Sequence, residues 1–360
     1  MQKQANFSKE CKALGVKSTK IYYTTRELSN RCYEMPTLRF LSSPTDLFFD
    51  HGGGKGASWL QEHLQGDYHR RWSTSLKAGG IEEPDAAIAD TSLSRWVNYY
   101  VQGLQWLTED HAGTAAIDGV YLDEVAFDRA TVQRMRKAVD QHRSGALFDL
   151  HSCNKFHCGV PSNPHACSSL IYMAHFAFLD SLWLGEGFSP DYPPDQWLVE
   201  MSGIPYGMHA EQLSSPNLWR GMIFAEGARP APDLWKAWDS LELTAPGVKL
   251  VGWWDAKPVV QVQCATCNAT APEVVASFYH RPGKGGVISV ASWADAESPP
   301  ASVTLSLDWS AIGLTPATAA VTIPPIASFQ NATASRLDPA KLQLAVQSPQ
   351  GFLVDVRTKA

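Results

Sequence analysis

The 360-residue chain has no apolar run long enough to span a bilayer, and its start, MQKQANFSKECKALGVKSTKIYYTT, lacks the apolar centre of a signal peptide. The net charge is −6 and no Lys/Arg cluster is present, which argues against a nucleic-acid partner. No G-x-G-x-x-G follows an apolar run, so the main support for a dinucleotide-binding sheet is missing. We therefore expect no membrane span, no nucleic acid and no dinucleotide.

Motifs for other hydrolase classes are incomplete. HGGGKG (His51 to Gly56) is similar to the oxyanion loop of esterases and to a phosphate loop, but no G-x-S-x-G occurs and the G-x-x-x-x-G-K-[ST] pattern fails. His151 and His209, with Asp149 and Asp255, are metal-ligand types, yet no H-x-H follows the first apolar run, as a metallohydrolase barrel would need. We expect no metal and no cofactor.

Seven cysteines are present, and five Cys and His residues form one cluster. The cluster consists of Cys153, His157, Cys158, His165 and Cys167. Its spacing matches no standard pair of zinc-binding elements, so ordinary loop cysteines, some of them paired, are favoured over a structural zinc.

A glycosylation sequon follows a pair of cysteines outside this cluster. Cys264-x-x-Cys267 is followed at once by Asn268-Ala-Thr, and further sequons begin at Asn6 and Asn331. Together they suggest disulfides and a secreted or organellar setting for a full-length form.

Short apolar runs alternate with helical segments over most of the chain. The runs are Ile21 to Tyr23, Val120 to Leu122, Ala146 to Phe148, Ser181 to Leu184, Ile204 to Tyr206 and Leu250 to Trp253. The helical segments are Ser94 to Thr108, Thr131 to His142, Pro194 to Met201, Pro216 to Ala225 and Asp233 to Leu241. This alternation predicts a parallel sheet, and the spacing of the run ends fits the roughly 31 residues per unit of a (β/α)8 barrel.

We predict an α/β chain with a TIM-type barrel over residues 1–256. A helix (Phe7 to Leu14) and a strand (Lys20 to Thr24) open the chain part-way through a βα register, so we expect the first barrel strands to be missing. Residues 37–88 are Gly-rich with little periodicity, which predicts a long loop insertion. From residue 257 to 360, β-rich runs separated by Gly, Pro, Asp and Ser predict a small antiparallel β-sandwich.

Acidic and aromatic residues follow the apolar runs, where the active site of a barrel lies. They are Arg26, Asp123-Glu124, Asp149 and His151, Glu186, His209 and Glu211, and Trp254-Asp255. Five of the six runs thus place a carboxylate at one expected rim, and the chain contains 13 Trp and 11 Tyr that could serve as sugar platforms, Tyr121 and Trp183 among them. Paired carboxylates beside aromatic platforms suit glycoside hydrolysis.

The order of these segments resembles the barrel of glycoside-hydrolase-123-like proteins. The segments are KIYYTTRELSN, DGVYLDEVAFDR, ALFDLHS, DSLWLGEGF, WLVEMSGIPYGM and LVGWWD. The resemblance implies a β-sandwich tail and substrate-assisted cleavage of N-acetylhexosaminides by an Asp-Glu pair. On this basis Asp123 would orient the substrate's acetamido group and Glu124 would act as general acid, then base.

Other assignments stay open at the level of sequence. Asp123 as nucleophile with Glu186 as acid/base would suit a retaining glycosidase. Glu124 with Glu211 would suit a barrel whose acid and nucleophile lie on the fourth and seventh strands. Carboxyl separations of about 5–5.5 Å for retaining and ~6.5–9.5 Å for inverting chemistry distinguish such pairs. A catalytically inactive carbohydrate-binding barrel is the alternative from another class. A carbohydrate is the expected partner in each case, and the sequence carries no signal for an oligomeric state.

Overall fold

The structure, a computed structural model, describes residues 2–23, 27–29, 69–78, 81–89, 95–109, 117–122, 129–151, 169–184, 190–212, 217–228, 231–267, 273–330 and 335–359. The chain divides into two compact units, residues 1–187 and residues 188–360. No helix in the described part of the chain combines the length and the apolar character that a bilayer span requires.

The first unit contains three α-helices, seven strands and one 3-10 helix among its described residues. In chain order they are α1 (Gln2–Ala13), β1 (Lys20–Tyr22), β2 (Glu27–Ser29), β3 (His69–Ala78), β4 (Ile81–Ala89), α2 (Arg95–Thr108), β5 (Gly119–Leu122), α3 (Arg129–Asp140), β6 (Leu147–His151), the 3-10 helix Ser169–Phe178 and β7 (Ser181–Leu184).

Four strands of this unit form a parallel sheet in the order β1-β5-β6-β7. Strand pairing aligns Tyr22, Tyr121, Asp149 and Ser181 in one row across the sheet. Because successive side chains point to opposite faces, one face carries this row and its neighbours two residues away. We call it the polar face, and its polar and aromatic residues are Lys20, Tyr22, Tyr121, Asp149, His151, Ser181 and Trp183, with Gly119 and Leu147 beside them.

The opposite face is apolar and covered by helices. Its residues are Ile21, Val120, Leu122, Phe148, Leu150 and Leu182, all buried. On α3 the buried residues recur at helical spacing, from Val132 through Met135 to Val139, which gives the helix one apolar stripe. The Arg136 guanidinium of α3 lies 5.0 Å from the centre of the Phe148 ring. Since helices cover the outside of a barrel, the polar face corresponds to the inside.

Two carboxylates hold the N-terminal ends of the strands. Asp118, before β5, accepts hydrogen bonds from Lys12 Nζ (2.9 Å), Thr19 N (2.9 Å) and Arg143 Nη2 (2.5 Å). Partial burial opposes the charge of Asp118, but the hydrogen bonds from Arg143 and Lys12 prevail and lower its pKa. Asp180, before β7, accepts from Arg136 Nη1 and from the Phe148 amide, both at 2.7 Å. This end of the sheet therefore has a structural role.

The stretch expected to be a long loop contains secondary structure. Strands β3 and β4 form an antiparallel hairpin, and β2 pairs with β4 to complete a three-stranded sheet. The expectation of a loop is therefore wrong for residues 69–78 and 81–89. Pairing between neighbouring strands supplies the backbone hydrogen bonds here, although the sequence shows little alternation of apolar and polar residues.

The second unit contains short helices followed by many strands. Its elements are α4 (Pro194–Gln196), continuing as a π-helix (Trp197–Met201), the 3-10 helix Ile204–Tyr206, β8 (His209–Gln212), α5 (Leu218–Ile223), α6 (Pro232–Ser240), β9 (Lys249–Val251), β10 (Val260–Cys264), β11 (Val274–Arg281), β12 (Gly285–Ser292), β13 (Ala301–Leu307), β14 (Ala319–Ile323), β15 (Ser335–Leu337), β16 (Leu342–Val346) and β17 (Gly351–Thr358). A disulfide joins Cys264, the last residue of β10, to Cys267.

The run Ile204 to Tyr206 is a 3-10 helix, so its prediction as a strand is wrong. Gly203 and Gly207 flank it with positive φ, and the Met208 amide donates to the Gly203 carbonyl at 3.1 Å. These features form a turn, and Pro205 cannot donate to a strand ladder. The strand begins at His209 instead, and a parallel bridge joins Gln212 to Ala228.

The antiparallel strands form the predicted sandwich. A six-stranded sheet has the order β15-β14-β17-β12-β11-β9, and a three-stranded sheet has the order β10-β13-β16. Phe278, Ile288 and Val354 of the large sheet share a core with residues of the small sheet. On its other face, Val287 and Leu353 pack with α6, which explains why β12 is buried along its whole length.

Strand β9 belongs to this antiparallel sheet. Val251 pairs with Phe278 and Lys249 with His280, both antiparallel. The expectation that Leu250 to Trp253 forms a barrel strand is therefore wrong. A continuous apolar run is typical of any strand with two covered faces, so it does not distinguish the two kinds of sheet.

Candidate active site

The polar face of the first unit gathers four of the predicted substrate-binding residues, namely Tyr121, Asp149, His151 and Trp183. The Tyr121 ring lies 6.1 Å from the His151 ring and 6.1 Å from the Trp183 ring, and it meets Trp183 edge to face at 74°. On the neighbouring strand Tyr22 lies 5.6 Å from Tyr121 and is half exposed. The arrangement offers aromatic surface with polar groups beside it, which is suited to a sugar ring.

Asp149 lies inside β6 and not at its end. Its side chain is buried and forms an ion pair with Lys20. The carboxylate also accepts hydrogen bonds from the Ser181 hydroxyl and from Trp183 Nε1, the latter at 3.4 Å. The placement of Asp149 on a water-facing rim is therefore wrong. The strand runs on to His151 because Phe148 and Leu150 fill the apolar face while Asp149 and His151 occupy the polar face.

The residues predicted to perform the chemistry lie outside the described residues. They are Asp123, Glu124 and Glu186, together with the predicted substrate-binding residue Arg26. The Cys/His cluster from Cys153 to Cys167, HGGGKG, and the sequons at Asn268 and Asn331 also lie outside them. Among the described residues no group of three or more His, Cys, Asp or Glu side chains is arranged to hold a metal ion.

His209 and Glu211 lie in the second unit, on one face of β8. Each is at least partly exposed, and His209 Nε2 lies 3.5 Å from Glu211 Oε1. Because Ala210 and Gln212 are buried on the other face, the strand separates a polar side from a packed side.

Trp254 and Asp255 also lie in the second unit, after β9. The Gly252 amide donates to Asp255 Oδ2 at 2.6 Å, and Trp254 stacks on Phe224 with ring centres 5.5 Å apart. These contacts show a turn braced by an aromatic stack. A sugar-binding role for either residue stays a prediction. Because β9 belongs to the antiparallel sheet, Trp254 and Asp255 do not follow a barrel strand, which was the reason to expect that role.

Glu226 is a buried carboxyl that the sequence interpretation misses. It is fully buried, and neither of its oxygens has a hydrogen-bond partner among the described residues. Burial, and then the negative charge of Glu211, raise the pKa of Glu226 well above its ordinary value. Burial, with a further contribution from Glu226, also raises the pKa of Tyr279. The sequence does contain a signal, because the apolar run Met222 to Ala225 ends on this carboxyl, as other runs end on theirs.

Solved structures share the fold of the chain at low sequence identity. The alpha-amylase of Geobacillus thermoleovorans in complex with acarbose has 9% identity and a TM-score of 0.51, with 99% of this chain and 81% of that chain covered. The noncanonic maltogenic alpha-amylase AmyB of Thermotoga neapolitana has 8% identity and a TM-score of 0.51, with 99% of this chain and 81% of that chain covered. An Anoxybacillus alpha-amylase has 9% identity and a TM-score of 0.52, with 100% of this chain and 80% of that chain covered. At such identity the likeness concerns the fold alone.

Sequence profiles of protein families match nearly the whole chain. Residues 1–231 match the profile described as glycoside hydrolase 123, TIM-barrel domain, and residues 230–357 match glycoside hydrolase 123, C-terminal domain. The chain belongs to glycoside hydrolase family 123. No curated protein matches it by sequence.

Membership of glycoside hydrolase 123 confirms two parts of the sequence interpretation. The chain is a glycosidase, and its fold is a TIM barrel followed by a C-terminal β domain, in agreement with the parallel and antiparallel sheets described above. A carbohydrate substrate is consistent with this family. The predicted domain boundary at residue 256 and the individual site residues stay predictions.

Proposed function

We propose that this chain hydrolyses N-acetylhexosaminides by substrate-assisted catalysis, with Asp123 and Glu124 as the catalytic pair. The acetamido oxygen of the substrate attacks the anomeric carbon as the bond to the leaving oxygen breaks. Asp123 orients the acetamido group and stabilises the positive charge that develops on it. Glu124 gives its proton to the leaving oxygen.

The second half of the reaction restores the enzyme. Water attacks the anomeric carbon, the bond to the acetamido oxygen breaks, and Glu124 takes a proton from the water. The sugar leaves with its acetamido group intact and Glu124 is again protonated. Each carboxyl group therefore has one task, and no covalent bond to the protein forms.

The observation that carries this proposal is the position of β5 in the parallel sheet. The strand ends at Leu122, and Asp123 and Glu124 follow directly in the sequence. Active sites of barrels lie at the C-terminal ends of the strands. Tyr121, the last residue of β5 on the polar face, contacts Trp183 and His151, so the aromatic surface for a sugar lies beside the end of the same strand.

Release of chromophore from aryl N-acetyl-galactosaminide and aryl N-acetyl-glucosaminide tests this assignment. Glu124→Gln keeps the shape of the side chain but cannot give a proton, so we expect kcat/KM to fall at least ~100-fold. The loss should be much smaller with a dinitrophenyl leaving group, which departs without protonation. Glu109→Gln, at the end of α2 in the same unit, is the matched control and should retain wild-type activity.

Two outcomes would redirect the assignment. A Glu124→Gln variant as active as wild type removes Glu124 from the mechanism. A loss that appears in Glu186→Gln with the same dependence on the leaving group would favour Asp123 and Glu186 as the working pair.

A further inference from the structure

Asp149 connects three strands of the parallel sheet through its carboxylate. Lys20 of β1 forms an ion pair with Oδ2, the Ser181 hydroxyl of β7 donates to Oδ1, and Trp183 Nε1 of β7 donates to Oδ2 at 3.4 Å. Asp149 is directly opposite Ser181 in the strand register, and Trp183 lies two residues further along the same face.

The environment of Asp149 is that of a satisfied acceptor. The residue is only 1% exposed, and a carboxylate so buried needs a charge partner and hydrogen bonds, which Lys20, Ser181 and Trp183 supply. A carboxylate has about four acceptor positions, and these donors take three of them. Little capacity and almost no surface are left for a direct contact with a sugar hydroxyl.

Trp183 is fixed at two places. Its indole N–H is held by Asp149, and its ring meets Tyr121 edge to face with centres 6.1 Å apart. The indole remains partly exposed while Asp149 beneath it is buried. An aromatic platform held in this way binds a ring with less loss of side-chain freedom than a mobile one.

We propose that Asp149 is a positioning residue, which acts on the sugar through Trp183 and is itself held by the ion pair with Lys20. The inference rests on the proposed function because it takes Trp183 as the platform for a pyranose ring. It reassigns Asp149 from contact with substrate to orientation of the residue that makes the contact.

The test compares Asp149→Asn, Trp183→Phe and the double variant on the aryl N-acetylhexosaminide that wild type cleaves best. Stacking holds substrate and transition state about equally, so each single variant should raise KM by ~10-fold with kcat within ~3-fold of wild type. Because Asp149 acts through Trp183, the double variant should be no worse than Trp183→Phe alone.

A charge-matched control and a milder variant protect the test against misfolding. Asp180→Asn removes a carboxylate from the N-terminal end of the sheet and should reduce thermal stability with KM within ~2-fold of wild type. Lys20→Gln alters a partly exposed side chain and removes only the charge partner of Asp149. It should raise KM about 3-fold, and it should have no effect in the Trp183→Phe background.

Three results would overturn the inference. If the increase in KM of the double variant equals the product of the increases in Asp149→Asn and Trp183→Phe, Asp149 contacts the sugar directly. A fall in kcat or stability with unchanged KM would show a purely structural role. An unchanged KM in Lys20→Gln together with wild-type behaviour of Asp149→Asn would show no role at all.

Failure of the inference is distinguishable from failure of the proposed function. Hydrolysis by wild type and its loss in Glu124→Gln test the chemistry alone. Calorimetric titration of free N-acetylgalactosamine and N-acetylglucosamine into Glu124→Gln, with and without Asp149→Asn, tests positioning without any turnover. Equal dissociation constants in this titration would contradict the role of Asp149 even if the enzyme is active.

Discussion

Asp149 and Glu226 are both buried carboxyl groups, but the described residues provide hydrogen-bond partners for Asp149 alone. Lys20, Ser181 and Trp183 compensate the charge of Asp149, whereas Glu226 has the negative charge of Glu211 nearby and no donor among the described residues. Glu226 therefore keeps its proton to a higher pH than an ordinary carboxyl group. At the residue scale, the two buried acids therefore differ in the partners that surround them.

Glu226→Gln should make the stability of the chain less dependent on pH. The pKa of Glu226 is raised in the folded chain, so the folded state binds the proton more tightly than the unfolded state. Stability is then fully present below the ordinary pKa and falls as pH rises toward the raised value, by up to about 1.4 kcal/mol per pH unit. Urea unfolding of both proteins at pH 5 and pH 8 measures the difference, and Glu226→Gln should be the more stable at pH 8.

Glu200→Gln, which alters a carboxyl group elsewhere in the second unit, serves as the control and should follow the pH dependence of wild type. Parallel curves for wild type and Glu226→Gln would mean that Glu226 ionises normally in the folded chain.

At the scale of elements, a glycine sets the distance between β5 and β6. A Cβ atom on Gly119 would lie 1.9 Å from the Leu147 carbonyl oxygen, a backbone atom of the paired strand that cannot turn aside. The close approach places Tyr121 and Asp149 side by side on the polar face. The glycine is therefore part of how the sheet positions the candidate site.

Gly119→Ala should destabilise the chain by at least about 3 kcal/mol, because overpacking against backbone forces the strands apart. Gly103→Ala is the control. It lies inside α2, where the Tyr23 hydroxyl, at 3.1 Å, is the only described atom that its Cβ would meet, and the gain in helix propensity should offset that contact to within about 1 kcal/mol. Chemical unfolding of the two variants gives the comparison, and a Gly119→Ala variant as stable as Gly103→Ala would contradict the structure of this strand pair.

Elements with strong local signals could be predicted from the sequence, and elements defined by their partners could not. Val120 to Leu122 and Ser181 to Leu184 are short apolar runs between helices, and both are strands of the parallel sheet. Ile204 to Tyr206 has the same apolar character, but the flanking glycines turn it into a 3-10 helix. Leu250 and Val251 are in a strand, yet nothing in their own sequence shows that the partner is β11.

The same distinction holds for the site residues. Tyr121, Asp149, His151 and Trp183 share a face because the register of the parallel strands aligns them, although Asp149 lies inside its strand and not at the end. The burial of Asp149 depends on Lys20 and Ser181, which lie far from it in sequence. The sequence does not single out Glu226, because a single carboxyl after an apolar run gains meaning only from its burial and from Glu211.

At the scale of the whole molecule, the fold and the family carry different information. Alpha-amylases with 8–9% identity share the fold, which supports many chemistries, so the fold does not name the substrate. Membership of glycoside hydrolase 123 establishes a glycosidase. The sugar and the mechanism belong to our proposal, in which the acetamido group of the substrate is the nucleophile.

The most direct test of this mechanism compares an aryl N-acetylhexosaminide with the corresponding aryl hexoside, in which a 2-hydroxyl replaces the 2-acetamido group. The two substrates share the leaving group and the ring, and only the first contains the nucleophile that substrate assistance requires. We predict that wild type cleaves the acetamido substrate at least ~100-fold faster in kcat/KM. Equal rates for the two substrates would contradict substrate-assisted catalysis in this chain.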